Sequence, residues 1–268
     1  MSEQTPKRTS FEDTWVVLPT YNEAQNLRGI SAAILEALPG STLLVVDDSS
    51  PDGSGELADE LAASDPRVRV RHRVAKQGLG KAYVDGFGVA LDGGAEYLVQ
   101  MDADWSHSPE YLPALLAAIE KGADLVIGSR YATGGGVRDW GLLRRVVSRG
   151  GSLFARTALR LSPRDLTGGF KAWRRAALES IDTDRLHSGG YVFQIEMTYL
   201  ASRAGARVTE VPIVFKDREV GDSKMSKTII IEALVVVLQL RLDELRGRAP
   251  TARMESPAVD EDGGDDKG

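Results

Sequence analysis

Through the first half of the chain, short runs of β-branched and other apolar residues alternate with longer stretches in which apolar residues recur every three or four positions. This alternation predicts βαβ units and an α/β fold, a mostly parallel central sheet flanked by helices. Thr14 to Leu18 reads as the first strand and Glu23 to Leu38 as its helix, with Leu27, Ile30, Ile34 and Leu38 at helical spacing and Pro39-Gly40 closing it. Thr42 to Val46 is the second strand, and Val68 to Val70 a shorter one. A helix opening at Gly78, a strand from Tyr97 to Met101, a helix starting at Ser108-Pro109-Glu110 and a strand from Asp124 to Gly128 continue the pattern. After Arg130 the texture changes. Gly134-Gly135-Gly136 reads as a flexible break and Leu142 to Leu161 as a basic amphipathic helix. Thr167 to Phe170 reads as a turn before a strand, Tyr191 to Ala204 as a helix, Arg207 to Phe215 as a strand and Lys227 to Leu245 as a final helix. There is no internal repeat.

Composition narrows the class. At 268 residues and 42% hydrophobic the chain can bury a full core. The net charge of −6 is unevenly spread: Pro250 to Gly268 holds six acidic and two basic residues, whereas Arg138 to Arg175 holds ten Arg or Lys against two Asp. Global charge therefore predicts no nucleic-acid partner. The basic stretch is either a set of solvated helix faces or a surface for phosphate or anionic lipid. The absence of cysteine excludes disulfides, thiolate metal sites and Cys nucleophiles, and fits a reducing compartment. Met1 to Glu12 is polar and lacks the apolar stretch of a secretory signal, which reads as cytoplasmic. Ile229 to Leu238, the longest strongly apolar run, is interrupted by Glu232 and falls short of the roughly 20 residues that span a bilayer.

Polar motifs recur where strands end, the place at which open α/β sheets bind ligands. Asp102-Ala103-Asp104 closes the run Tyr97 to Met101. Two carboxylates one residue apart can hold a divalent cation against a diphosphate, since hard cations take oxygen ligands and bridge phosphate oxygens. Both reach one ion only if the chain turns there, as Trp105-Ser106-His107-Ser108-Pro109 suggests; otherwise they are capping or surface aspartates. Ser106 or water is the better third ligand than His107, because such sites favour oxygen. Leu18 to Glu23 follows the first strand and Val46-Asp47-Asp48 ends the second, where an Asp can accept hydrogen bonds from a base or ribose and a Tyr can cover the ring. Neither G-x-G-x-x-G after the first strand nor a G-x-x-x-x-G-K-[ST] loop is present.

These motifs together resemble the family 2 glycosyltransferases, and within them the dolichol- or polyprenol-phosphate mannose synthases. The matching segments are 18–23, 46–53, 78–83, 101–107, 128–131 and 165–170, with Arg218 and Ser223-Lys224. The resemblance covers about Trp15 to about Leu245. It implies a GT-A fold and GDP-mannose as donor. Pro19, Tyr21, Glu23, Val46 and Asp48 match positions that hold the guanosine, and Asp102, Ala103 and Asp104 those around metal and diphosphate. Arg130, Arg218 and Lys224 match cations that contact phosphates of donor or acceptor. Two departures stand out. Ser106 replaces a Gln that some relatives carry, leaving open the third ligand and the choice between Mg²⁺ and Mn²⁺. Ser49 follows the aspartates where relatives often have Gly, which matters only if that position needs a positive φ.

The implied reaction is inverting transfer of mannose to a polyprenyl monophosphate, giving a β-mannosyl phosphate. A phosphate monoester, with a second pKa of about 6, is already anionic at neutral pH and attacks without a strong base. Catalysis then falls to Asp104, Arg130, Arg218 and Lys224, with Arg130 first and Arg144 second as arginine forks for the acceptor phosphate. The resemblance implies a single domain over 13–246, with a nucleotide-binding half 13–130, an acceptor half 131–225 and a C-terminal amphipathic helix 226–246 able to lie at a membrane interface. A flexible 1–12 and a disordered acidic 247–268 flank it. The chain should sit peripherally on the cytoplasmic face of a membrane, by itself or through a separate anchoring protein. Three rivals are a polyprenyl-phosphate glucosyltransferase using UDP-glucose, an idle nucleotide-sugar-binding module, and a soluble transferase acting on protein or polysaccharide.

Overall fold

Alternation within the first strands decides which side of the sheet each residue serves. In β1 (Thr14–Thr20), Trp15 and Val17 enter one core while Val16 and Leu18 enter the other. In β2 (Thr42–Asp47), Leu44 and Val46 join the first core and Leu43 and Val45 the second. Burial on both faces is why these strands read as unbroken apolar runs. The computed structural model describes residues 12–138, 140–183, 186, 190, 192–216 and 227–247. Along them follow α1 (Ala24–Ala37), α2 (Ser54–Ser64), β3 (Val68–His72), α3 (Leu79–Asp92), β4 (Tyr97–Gln100), a 3-10 turn at Pro109–Tyr111, α4 (Leu112–Glu120) and β5 (Leu125–Ser129). The second half adds β6 (Gly136–Val137), α5 (Leu142–Leu159), β7 (Lys171–Arg174), α6 (Arg175–Glu179), α7 (Phe193–Arg203), β8 (Val208–Pro212), β9 (Val214–Phe215) and α8 (Lys227–Leu245).

Among the described residues, seven strands form one sheet in the order β3-β2-β1-β4-β7-β5-β8. All neighbours are parallel except β7, which runs antiparallel between β4 and β5. This is the α/β architecture the alternation predicts. The register pairs Thr20 with Asp47 and Val17 with Gln100, so the chain leaves β1, β2 and β4 along one edge.

Two elements depart from expectation. Gly134-Gly135-Gly136 is no flexible break: Gly136 and Val137 pair in parallel with Val214 and Phe215. Close backbone approach explains the glycines, since a Cβ on Gly135 would lie 2.5 Å from the Ser129 carbonyl oxygen. The strand expected from Arg207 to Phe215 is split at Ile213, whose N–H donates to the Ser129 carbonyl at 3.0 Å. β8 thus stays in the main sheet while β9 turns over to β6.

The final helix has two faces. Val236, Val237 and Leu240 of α8 close the first core, and Glu244 pairs with Arg203 of α7 at 2.7 Å. Ile231, Leu234, Val235, Leu238, Leu242 and Leu245 point outward at helical spacing. α5, which packs against α8, likewise exposes Leu142, Val146 and Leu153. The segments 1–11 and 248–268 lie outside the described residues.

Candidate active site

The ends of β1, β2 and β4 carry three non-glycine residues in left-handed backbone: Asn22 (φ 60°), Ser49 (φ 61°) and Trp105 (φ 62°). Such backbone costs about 1–3 kcal/mol and persists only where surrounding bonds fix it. Here those bonds tie the loops together. Asn22 N–H donates to Ser50 Oγ at 3.1 Å and Glu23 N–H to Ser54 Oγ at 2.9 Å. Asp52 accepts from Ser54 Oγ at 2.6 Å and from Ala24 N–H at 3.1 Å, capping the start of α1. The Pro-Asp-Gly segment therefore serves to join the first two strand ends.

Asp47 and Asp48 have different partners. Asp47, buried, accepts from Thr20 Oγ1 at 3.2 Å and Ser50 Oγ at 2.6 Å. Asp48, also buried, is held from the loop after β3: Arg73 Nη1 donates at 2.5 Å and Gln77 N–H at 3.2 Å. Lys76 of the same loop places its ammonium 3.5 Å from the centre of the Tyr21 ring. Pro19 and Val46 are register partners in the strands beneath. Glu23 accepts from Asn26 Nδ2 at 2.8 Å. Of the five positions matched to guanosine binding, Pro19 and Val46 are thus paired in adjacent strands, and Tyr21 and Asp48 are both engaged by the loop that carries Arg73, Lys76 and Gln77.

Asp102 and Asp104 follow β4 on a turn bent by Trp105. Tyr83 of α3 donates its hydroxyl to Asp102 Oδ1 at 2.8 Å. Ser106, buried, donates its backbone N–H to Asp104 Oδ1 at 3.1 Å, and Ala103 between the two aspartates is buried in the second core. His107 is buried between Phe170, stacked at 5.0 Å, and Phe215, edge-on at 5.4 Å. Its Nδ1 accepts the Asp102 N–H at 3.3 Å, which puts its proton on Nε2. Burial lowers the imidazole's affinity for a proton more than Asp102 and Asp104 raise it, so the ring is neutral at neutral pH. Among the described residues no three His, Cys, Asp or Glu side chains gather as a complete metal cage. Asp102 and Asp104, two carboxylates on the one turn that follows β4, nonetheless fit the donor set of Mg²⁺ or Mn²⁺. Mg²⁺ typically takes one or two carboxylates and fills its shell with substrate phosphates and water.

The basic half packs against this turn. Arg130 is buried and bound to Asp165, with Nε to Oδ2 at 2.7 Å, Nη2 to Oδ1 at 2.5 Å and its backbone N–H to Oδ2 at 2.9 Å. Nη2 also reaches Thr167 Oγ1 at 2.8 Å. Burial alone would push the Asp165 carboxyl up; the charge and hydrogen bonds of Arg130 outweigh it and hold that carboxyl below its usual range. Arg130 thus fastens the Asp165 to Phe170 turn to the end of β5. Arg144, in the first turn of α5, lies 4.1 Å from the centre of the Trp140 ring, and Tyr131 donates to Ser148 Oγ at 2.7 Å. Arg218, Ser223 and Lys224 lie outside the described residues.

Residues 15–182 match the family model of glycosyl transferase family 2. The chain is 50% identical over 239 residues to the polyprenol monophosphomannose synthase of Mycolicibacterium smegmatis, covering 87% of this chain and 90% of that protein. It is 48% identical over 236 residues to the undecaprenyl-phosphate mannosyltransferase of Micrococcus luteus, covering 87% and 97%. In fold it is similar to the mannosyltransferase of Pyrobaculum calidifontis in complex with GDP-mannose and Mn²⁺, with TM-score 0.55, 19% identity and coverage of 91% and 67%.

Proposed function

Because the chain belongs to glycosyl transferase family 2, we propose that it moves mannose from GDP-mannose to a polyprenyl monophosphate, with inversion at C1. The observation that carries this reading is the two-sided site. In the sheet β2 and β5 lie on opposite sides of β4, so the carboxylates that end β2 and the arginine–aromatic cluster of Arg130, Trp140 and Arg144 that follows β5 flank the Asp102 turn. Pro19, Tyr21, Glu23, Val46 and Asp48 hold the guanosine, with Lys76 and Arg73 fixing Tyr21 and Asp48. A divalent cation, Mg²⁺ or Mn²⁺, held by Asp102 and Asp104 with Ser106 or water, would offset charge growing on the leaving diphosphate.

The acceptor phosphate needs positioning and charge rather than a base. Arg144 suits it: it offers a planar fork at the N-terminus of an 18-residue helix, where unpaired backbone N–H groups favour anions. Arg130, committed to Asp165, acts by setting the turn that faces Asp102. Arg218 and Lys224 keep the phosphate-binding roles that the resemblance implies. The lipid stays in a membrane that the protein meets peripherally, on its cytoplasmic face; no helix among the described residues is long and apolar enough to cross one.

Incubation with labelled GDP-mannose or UDP-glucose, polyprenyl phosphate and Mg²⁺ or Mn²⁺ tests this. Label entering the organic phase from GDP-mannose is the expected result. Transfer from UDP-glucose alone would reassign the sugar, and none from either donor would overturn the reading.

A further inference from the structure

A line of buried polar side chains runs under the carboxyl end of β4. Trp173 of β7 donates its indole N–H to Gln100 Oε1 at 3.4 Å, and Gln100 Nε2 donates to Gln194 Oε1 at 2.7 Å. All three are at most 2% exposed. An indole nitrogen can only donate, so Gln100 must turn its carbonyl toward Trp173 and its NH₂ toward Gln194. Gln194 must then turn its own carbonyl inward, and its NH₂ is left pointing away from the chain of bonds. The first turn of α7, which carries Gln194, is pinned as well: Lys171 Nζ donates to the Gln194 carbonyl at 2.7 Å and to Thr198 Oγ1 at 2.9 Å.

The outward amide has no acceptor among the described residues. Its Nε2 lies 3.5 Å from the place a Cβ on Gly169 would take, and Asp102 Oδ2 and His107 Cε1 each lie 3.6 Å from the same place. The space a Cβ on Gly169 would take is therefore bordered by both a carboxylate oxygen and a fixed donor. The other Asp102 oxygen is occupied by Tyr83. An anion in this gap would meet the Asp102 charge, and a cation would meet the amide NH₂. A neutral hydroxyl, which donates and accepts at once, satisfies both walls.

We propose that Gln194 determines sugar specificity, its NH₂ donating to a hydroxyl of the transferred hexose while Asp102 accepts from that sugar. The inference rests on the reading of this site as one for a nucleotide sugar. Trp173 and Gln100 are positioning residues that fix the sign of the group presented. A site built to hydrogen-bond a hydroxyl leaves polar groups unpaired when the hydroxyl is missing, which makes discrimination steep.

Calorimetry on the full chain with Mn²⁺, using GDP and GDP-mannose as probes, tests it. Gln194→Met should leave GDP affinity within about twofold and weaken GDP-mannose about tenfold or more, toward GDP itself. Gly169→Ala gives an independent route, since its methyl meets the three walls at ordinary contact distance and fills the gap without displacing them. It should show the same selective loss. Equal weakening of GDP and GDP-mannose in both variants, or no change in either, would overturn the assignment. If the native chain bound UDP-glucose and not GDP-mannose, the donor reading would fail; the same differential between UDP and UDP-glucose would then decide the role of Gln194.

Discussion

Ser49 is the residue at which a departure from the family pattern has a physical cost. Its φ of 61° lies where a Cβ crowds the neighbouring carbonyl, and its side chain is exposed. Bonds that Ser50 donates to Asp47 on one side, and that Arg73 and Gln77 donate to Asp48 on the other, hold the backbone there. Glycine would adopt this conformation without penalty, although it gains freedom in the unfolded chain. Ser49→Gly should therefore stabilise the protein by about 0.5–1 kcal/mol, read as a higher urea midpoint with unchanged slope. An unchanged or lower midpoint would mean that the loop is not strained at this position.

At the scale of elements, β7 is the strand that brings the basic half into the nucleotide half's sheet, and it does so with a lysine in the core. Burial holds the Lys171 amine down to about 7, against the attraction of Asp165. In the unfolded chain the amine returns to its usual value near 10.5. Between those values the unfolded state binds more protons, so stability rises with pH, by at most about 1.4 kcal/mol per unit for one group. From pH 7.5 to 9.5 urea stability should climb more steeply in the native chain than in Lys171→Met; parallel profiles would show that the amine titrates normally. This element also marks what the sequence could tell. The turn after β4 was legible because its carboxylates are local to a strand end, α1 was legible from its helical spacing, and β2 and α8 from their apolar runs. The partners of that site were not. Gln100 meets Gln194 across 94 positions and Arg73 meets Asp48 across 25, and neither pairing leaves a local trace. Arg73 and Lys76 nonetheless follow a strand on the ligand-bearing edge, a signal available in principle. Arg130 was legible as a cation at a strand end, but its bond to Asp165 depends on β7 folding back beside β5.

At the scale of the whole molecule, the outward stripes of α5 and α8 bear on how the proposed donor site would meet a lipid-borne acceptor. α8 exposes Ile231, Leu234, Val235, Leu238, Leu242 and Leu245, and α5 combines exposed Leu142, Val146 and Leu153 with exposed Arg145 and Arg149. Apolar side chains beside arginines suit an anionic bilayer surface, which repays both the apolar area and the charge. The N-terminal turn of α5 also carries Arg144, so docking this helix would hold the arginine we propose for the acceptor phosphate at the depth of lipid phosphates. The full chain should bind phosphatidylglycerol vesicles in a salt-sensitive way, and phosphatidylcholine vesicles more weakly. Leu234→Glu with Leu238→Glu should weaken vesicle binding by about tenfold or more with little change in thermal stability, because both side chains already face outward. Transfer to a short, water-soluble polyprenyl phosphate should persist in that variant while transfer to the vesicle-borne lipid falls. Undiminished vesicle binding would remove α8 from the membrane contact, and equal loss with both acceptors would place its effect on the site rather than on access to the lipid.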